Sequence, residues 1–489
     1  MPNHTRRSLL RHVTAVGLPL LLPACRRTDA PQKVSGYTTP ITLPSAPETD
    51  PQFAPGALRL DLRHRITGGT EAFTLERLRL EPSWPERLPP LKDGPDWGDY
   101  RVSLHDAAGD ALLFRRGFDT GLAPDARAAT TQCSIRFPMP RRAVRVSIEK
   151  RRGANFFAPL STFEIDPASA AIDRSVIAIP TRVDNLHIGG VAASKVDLAI
   201  LGDGYREAEY TKFVDDARRA ASYLFSVEPF KSRQGYFNVR GVFAASADSG
   251  VTDAYLGLNK NTVFRSAYFS GGSERSIGDG DHYALREVAS AVPYDFMLVL
   301  ANARRYGGSS YFAGPAVVAI DNAAARYLVI HEFAHAIGGL ADEYYVPMAG
   351  GPAYGGNVEP WYPNVTLSPD SGKWRKRLTE PQGRPGTWNQ TEYDQYFAGY
   401  VKRYEALRAN GVEEKVVEQF MEQERQRQTA LLAKNHPARK VGYYEGANGY
   451  AKGIFRSEAD CIMFSLQTQY FCAACSAVIE RMIDAHVKP

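Results

Sequence analysis

Residues 331–345 read HEFAHAIGGLADEYY, and the reading of this stretch decides the fold around it. On an α-helix, positions i and i+4 share a face, so His331 and His335 project side by side. Two neutral imidazoles at that spacing are the pair of ligands that a tetrahedral zinc ion takes from one helix. Glu332 then falls beside the ion, where it can take a proton from water and pass it on. The alternative is a pair of core histidines on an apolar helix. It leaves imidazole nitrogens in need of buried partners and Glu332 unpaired beside them, which is costly without a cation.

A catalytic zinc takes a third protein ligand and keeps one position open. After His335 the chain reaches Gly338 and Gly339, suited to a sharp turn at a helix end, then Leu340, Ala341, Asp342 and Glu343. Ala341 has no ligand atom. Asp342 is the preferred third ligand, Glu343 the second choice, and a distant Glu between Glu413 and Glu424 the third. A carboxylate of the 342–343 pair that does not ligate would orient a histidine through its other ring nitrogen.

Working outward, 489 residues leave room for two or three domains, and 44% hydrophobic with 23% charged residues is an ordinary globular composition. The net charge of +5 is spread over interleaved acids and bases, which gives no support to nucleic-acid binding. The first 25 residues read as an export signal. Arg6 and Arg7 lie in a segment that resembles a bacterial twin-arginine signal, and the apolar run that follows is too short to span a bilayer. Leu22-Pro23-Ala24-Cys25 resembles a lipobox in which Cys25 would carry a lipid, the only membrane attachment expected. Such a chain is exported from a bacterial cytoplasm and is periplasmic, lipid-anchored or secreted. Loss of Arg6, Arg7 and Arg11 with the signal brings the charge to +5 − 3 = +2.

Export makes disulfides available to Cys133, Cys461, Cys472 and Cys475. The C-terminal three are the expected place, with Cys461 bridged to the Cys-Ala-Ala-Cys pair; a redox motif and a structural zinc site are the alternatives.

Residues 26–56 are rich in Pro, Thr and Ser and read as a linker. Residues 57–167 show short alternating segments between Gly, Pro and Asp turns, expected to form a small antiparallel β-sandwich with an accessory role. From 168 to 489 strands and helices alternate, as in a layered α/β sheet domain, with strands at 196–201, 236–243 and 294–301 and helices through Phe213 and around 283–290. Gly202-Asp-Gly204 lacks the third glycine of a dinucleotide fingerprint and reads as a strand-to-helix turn. The charged stretch from 393 to 435 reads as helix with a solvated face. The acidic loops Asp248–Asp253 and Asp279–Asp281 are candidates for calcium, with solvated turns preferred.

HEFAHAIGGLADEYY, VGYYEGANGYAKGIFRSEADCIM at 441–463, the terminal FCAAC at 471–475 and LAILGDGY at 198–205 together resemble the peptidase M64 group of bacterial zinc peptidases. The resemblance implies a metzincin-like zinc endopeptidase acting on a polypeptide, with His331 and His335 as ligands and Glu332 as general base. It also implies that the β-rich segment is the sandwich accompanying such domains. It does not carry over the immunoglobulin substrate of the founding member. In metzincins the third ligand sits ten residues after the first histidine, at Ala341 here, so Asp342 would have to be brought round by the Gly-Gly turn. Met463 looks like the methionine of the Met-turn beneath the site. The helper tyrosine that some metzincins place two residues later is Ser465 here, which leaves Tyr344 and Tyr345 as candidates. The cleft edge is expected near 309–311 or 316–320, where an extended substrate adds as a strand. A non-catalytic polypeptide- or glycan-binding protein and a zinc amidase acting on cell-wall peptides are the rival functions.

Overall fold

The computed structural model describes residues 51–85, 95–122, 126, 128–176, 178–345, 353–379, 388–435 and 439–487. The export signal, Cys25 and most of the 26–56 stretch therefore lie outside the described residues.

Alternating side chains build the first half of the molecule. Strand β1 (Phe53–Thr67) is followed by β2 (Thr70–Glu81), β3 (Tyr100–Asp106), β4 (Leu112–Phe118), β5 (Ala128–Pro140), β6 (Val144–Arg151), β7 (Phe157–Ile165) and β8 (Ile172–Asp173). They form two four-stranded sheets, in the orders β5-β1-β2-β8 and β4-β3-β6-β7. One apolar core draws on both, with Leu58, Leu60 and Leu62 from one sheet and Val102, Val146 and Ile148 from the other. Two boundaries differ from the expectation. β1 starts at Phe53, inside the expected linker, and β8 returns to pair with β2 beyond residue 167. That last pairing is parallel, so the first sheet is not wholly antiparallel.

β1 is buried on its charged face as well. Arg59 and Asp61 alternate with the leucines yet are fully covered, because α2 (His282–Ala289) packs over them. Arg59 bonds Asp61 at 2.9 Å, Glu81 at 2.8 Å and Glu287 of α2 at 2.9 Å. Arg136 of β5 donates to Glu81 and to the carbonyl of Tyr294. A buried ion network thus joins the two-sheet unit to the rest of the chain, where each charge is matched and hydrogen-bonded as burial demands.

The second half is organised by runs of apolar residues long enough to be buried on both faces. β9 (Arg182–Ile188), β10 (Val196–Asp203), helix α1 (Tyr210–Leu224) and β11 (Phe237–Phe243) come first. The two-residue pair β12 (Ala267–Tyr268) and β13 (Ile277–Gly278), then α2, β14 (Phe296–Ala301), β15 (Gly308–Ser309), β16 (Ala316–Ala319) and α3 (Ala325–Gly338) follow. The main sheet has the order β15-β16-β14-β10-β11-β9, parallel except for the two edge strands. Leu198, Ile200, Leu298 and Leu300 face α1 and α3, whereas Ala199, Leu201, Met297 and Val299 face α2. The fold is therefore a mixed α and β architecture with helices on both sides of a sheet.

The remainder comprises β17 (Val365–Thr366), α4 (Gln390–Ala409), α5 (Glu414–Asn435), β18 (Tyr444–Ala447), β19 (Tyr450–Arg456) and α6 (Ala473–Val487). The charged stretch expected as helix with a solvated face is two helices packed on each other, with Tyr400 and Phe420 stacked at 5.8 Å. Its aromatic residues supply one wall of the central cleft. No helix among the described residues is long and apolar enough to cross a membrane.

Candidate metal centre

α3 is apolar all round because it is buried all round, against the sheet on one side and α1 and α6 on others. It ends at Gly339, whose φ of +55° lets its N–H reach the His335 carbonyl at 2.9 Å. A Cβ there would lie 2.8 Å from the Trp361 ring, so glycine serves both the turn and the close approach. The chain then doubles back and is clamped. Asn364 accepts from the Ala341 N–H and donates to the Ala341 carbonyl, and the Asp342 carbonyl accepts from the Asn448 N–H. Next along, the Glu343 N–H donates to the Met463 carbonyl.

This places three ligand atoms in a triangle. His331 Nε2 and His335 Nε2 are 3.2 Å apart, and Asp342 Oδ1 lies 3.0 Å from the first and 3.3 Å from the second. Three ligands at the bond lengths of a tetrahedral zinc ion would stand about 3.3 Å apart. The rings are fixed from behind. His331 Nδ1 lies 3.1 Å from the Ile462 carbonyl and 2.9 Å from the Tyr327 hydroxyl, and His335 Nδ1 lies 2.6 Å from the Leu340 carbonyl. A carbonyl only accepts, so each Nδ1 carries the ring proton and each Nε2 presents a lone pair. Asp342 Oδ1 is buried and finds no hydrogen-bond donor. Three ligand atoms therefore converge where the rest of the protein supplies no further donor, an arrangement that a divalent cation fits.

Without a cation a proton must serve. Burial lowers the His335 pKa, but the adjacent Asp342 carboxylate overrides it, and the ring is pushed up to about 9. Asp342, despite the cost of burial, is held below the usual carboxylate range by the two imidazoles. Glu332 borders the same cleft without ligating. Burial raises its pKa, opposed by the charges of His331, His335 and Arg275. Gly308 of β15 lies directly on this carboxylate, since a Cβ at 308 would stand 2.8 Å from Glu332 Oε1.

The cleft has a volume of about 560 Å³ and is walled by Ser309–Phe312 on one side and by α4 and α5 on the other, through Tyr396, Tyr400, Met421 and Arg425. Asp119 of the two-sheet unit reaches its floor. Tyr344 lines the cleft with its ring 6.3 Å from that of His331, whereas Tyr345 is fully buried and donates to Asp394. Ser465 is turned away to Asp460 and Thr468. Met463 is fully buried in a turn whose preceding carbonyl, that of Ile462, is the one that holds His331. Tyr327, Arg275 and Tyr306 were not singled out by the sequence reading. Tyr327 precedes His331 by one helical turn, a spacing that could have flagged it.

Two expectations need correction. Cys461, Cys472 and Cys475 form no disulfide; all three thiols are free, buried and gathered with Glu343, with Cys472 and Cys475 Sγ at 3.3 and 3.2 Å from Glu343 Oε1. Glu343 thus points away from the histidines, and burial drives its carboxyl well above the usual range. Glu424 borders the cleft but is bound by Arg403 and Arg427, and Glu414 and Glu418 are bound by Arg408 and Arg304. The acidic loops are turns that are partly exposed, as preferred, and their carboxylates are engaged within the protein: Asp253 pairs with Arg305 at 2.7 Å, Asp281 caps α2 and Asp279 bonds His282. Among the described residues only two groups gather closely enough to hold an ion, and neither includes those loops.

A helix presenting two imidazoles and a carboxylate, completed by a clamped aspartate at the floor of an open cleft, is a candidate centre of the kind used by metal-dependent hydrolases. The chain belongs to the IgA Peptidase M64 family, whose model matches residues 185–483, and the Peptidase M64 N-terminus model matches residues 49–160. Comparison with curated proteins finds no match. Membership implies a peptidase with a polypeptide substrate and a metal.

Proposed function

We propose that the protein is a zinc-dependent endopeptidase that cleaves extracellular polypeptides, with His331, His335 and Asp342 as metal ligands and Glu332 as general base. The observation that carries this reading is the triangle of three ligand atoms, two imidazole nitrogens and a carboxylate oxygen, beside a carboxylate whose proton affinity burial has raised. A zinc ion held there supplies Lewis-acid polarisation of the scissile carbonyl and lowers the pKa of water. Glu332 takes a proton from the attacking water and delivers it to the leaving amine. Arg275 and Tyr344 border the space where negative charge develops on the substrate, and Arg275 supplies a fixed cation to it.

The polypeptide lies along Ser309–Phe312, the rim of the cleft nearest Glu332. Strand addition begins beyond Gly308, because the Gly308 N–H already donates to the Arg275 carbonyl. On this reading the six-stranded sheet with α3 is a metzincin-like catalytic half, the turn at Met463 is its Met-turn, and the two four-stranded sheets are the accompanying β-sandwich. Export through the N-terminal signal, with or without a lipid on Cys25, brings the enzyme to such substrates.

The test is zinc content of the mature protein and its Glu332→Ala variant, alongside hydrolysis of casein and a peptide library. Both forms are expected to hold zinc and only the parent to cleave. Cleavage by the variant at the parent's rate, or a parent without zinc after metal-replete purification, would sink the reading.

A further inference from the structure

One residue beyond Asp342 the chain faces a different set of ligands. Glu343 Oε1 and the sulfurs of Cys461, Cys472 and Cys475 all lie within 4.8 Å of one another. We propose that these four residues hold a second divalent cation of the zinc class, in a closed and non-catalytic site that shares no ligand with the centre at His331.

Four observations support it. First, the ligands have the number that a tetrahedral structural site uses, with a carboxylate as the fourth ligand beside three sulfurs, and the 3.2 and 3.3 Å sulfur-to-oxygen separations approach the roughly 3.5 Å edge expected around zinc. Second, the site is sealed: all four residues are 0% exposed, so no position is left for substrate or bulk water. Third, two of the three sulfurs accept from backbone N–H groups. The Met463 and Cys472 N–H groups donate to Cys461 Sγ at 3.4 and 3.2 Å, and the Cys475 N–H donates to Cys472 Sγ at 3.4 Å. Backbone N–H groups aimed at sulfur favour thiolates over thiols and orient the ligands from behind.

Fourth, the pocket holds an acceptor that nothing else among the described residues satisfies. Glu343 Oε1 accepts from Asn364 at 3.2 Å, but Oε2 has no hydrogen-bond partner. A disulfide between any two of the cysteines would leave the third thiol and this carboxylate buried with no cation between them. Three thiolates and a carboxylate around a dication leave two negative charges, and the fully buried Arg456 is the nearby countercharge. Among the described residues its guanidinium donates to backbone carbonyls alone, at Glu445, Gly446 and Ala459, and has no carboxylate in direct contact. Binding would release the protons that the thiols and the Glu343 carboxyl carry, take up one cation in their place and transfer no electrons.

The ion would staple the return from α3 to two segments far along the chain from it, the turn that holds Met463 and the N-terminus of α6. Glu343 neighbours Asp342, and Cys461 neighbours the Ile462 carbonyl that orients His331. The second ion therefore positions two parts of the first centre without touching substrate.

The experiment uses the full mature protein loaded with cobalt(II) in place of zinc, with metal counted by mass spectrometry. Thiolate-to-cobalt charge transfer in the near ultraviolet reports the second site alone, since the first has no sulfur ligand. The parent is expected to hold about two ions per chain and to show the band. His331→Ala/His335→Ala protein should keep one ion and the whole band, and Cys472→Ser/Cys475→Ser protein should lose the band. If the cysteine variant does not fold, the parent and the histidine variant decide. One ion without the band, or an intact mass about 2 Da below the fully reduced chain from a disulfide among these cysteines, overturns the proposal. One ion with the band would instead overturn the catalytic centre and leave this site standing.

Discussion

Gly308→Ala is a substitution whose effect can be worked from the coordinates. The new Cβ would lie 2.8 Å from Glu332 Oε1, 3.1 Å from its Cγ and 3.2 Å from its Cδ. Ordinary carbon contacts fall at about 3.5 to 4.0 Å, so the carboxylate must retreat by roughly 0.5 to 1 Å. The atoms that must move are a side chain bordering an open cleft, and alanine is the better strand residue, so the folded state loses less than about 1 kcal/mol. The metal ligands do not touch residue 308, so zinc content should not change. A misplacement of about 1 Å in a reacting group costs up to about 100-fold in rate, or about 2.7 kcal/mol of transition-state stabilisation. The expected result is a 10- to 100-fold fall in kcat with unaltered zinc and melting temperature, a range set by that misplacement. The assay is steady-state hydrolysis of a fluorogenic peptide chosen from the library, with metal analysis on the same preparation. A kcat within twofold of the parent would refute the placement of Glu332 as the base against β15.

Other outcomes follow from the same geometry. Asp342→Ala removes one corner of the ligand triangle and should weaken zinc binding at least 100-fold, measured by competition with a chelating dye; unchanged affinity would return the third ligand to another residue. Because burial raises the Glu332 pKa, its base form is lost at a higher pH than a free carboxylate's, and the acid limb of kcat/KM should fall above pH 4.5. In metal-free protein, His335 has a pKa raised from 6.5 to about 9. Its pairing with Asp342 thus contributes stability that is full below pH 6.5 and lost as pH rises through about 9, whereas loaded protein should lack that loss; thermal melts across this window check it. Glu287→Ala strips a partner from the fully buried Arg59 and should cost about 3 to 5 kcal/mol in urea unfolding. A cost below about 1 kcal/mol would show that the network between the two-sheet unit and α2 is not holding them together.

How much of this was legible depended on how far apart the interacting residues lie in the chain. The imidazole pair on α3 and Glu332 are legible because helical periodicity is local, and the strands at 196–203 and 296–301 because a sheet covered on both faces demands continuous apolar runs. Asp342 was readable only as a preference, since nothing local separates it from Glu343. Its choice rests on Asn364, Asn448 and the Met463 carbonyl, which clamp the backbone so that successive side chains face different ligand sets. The cysteines were read by compartment and spacing, which suggested a disulfide. Only the folded chain brings Glu343 to them, across more than a hundred residues.

The sequence by itself determined the i, i+4 imidazole pair with its glutamate, the apolar strands of the main sheet and the division into a β-rich and a mixed half. Each follows from a periodicity that a short segment carries alone. The tertiary structure decided which carboxylate meets the histidines, what the cysteines face, and that a polar helical stretch walls the cleft. It also decided that Arg59 and Asp61 of β1 are buried, because these depend on contacts between segments whose backbone carbonyls and amides leave no signature in side-chain order.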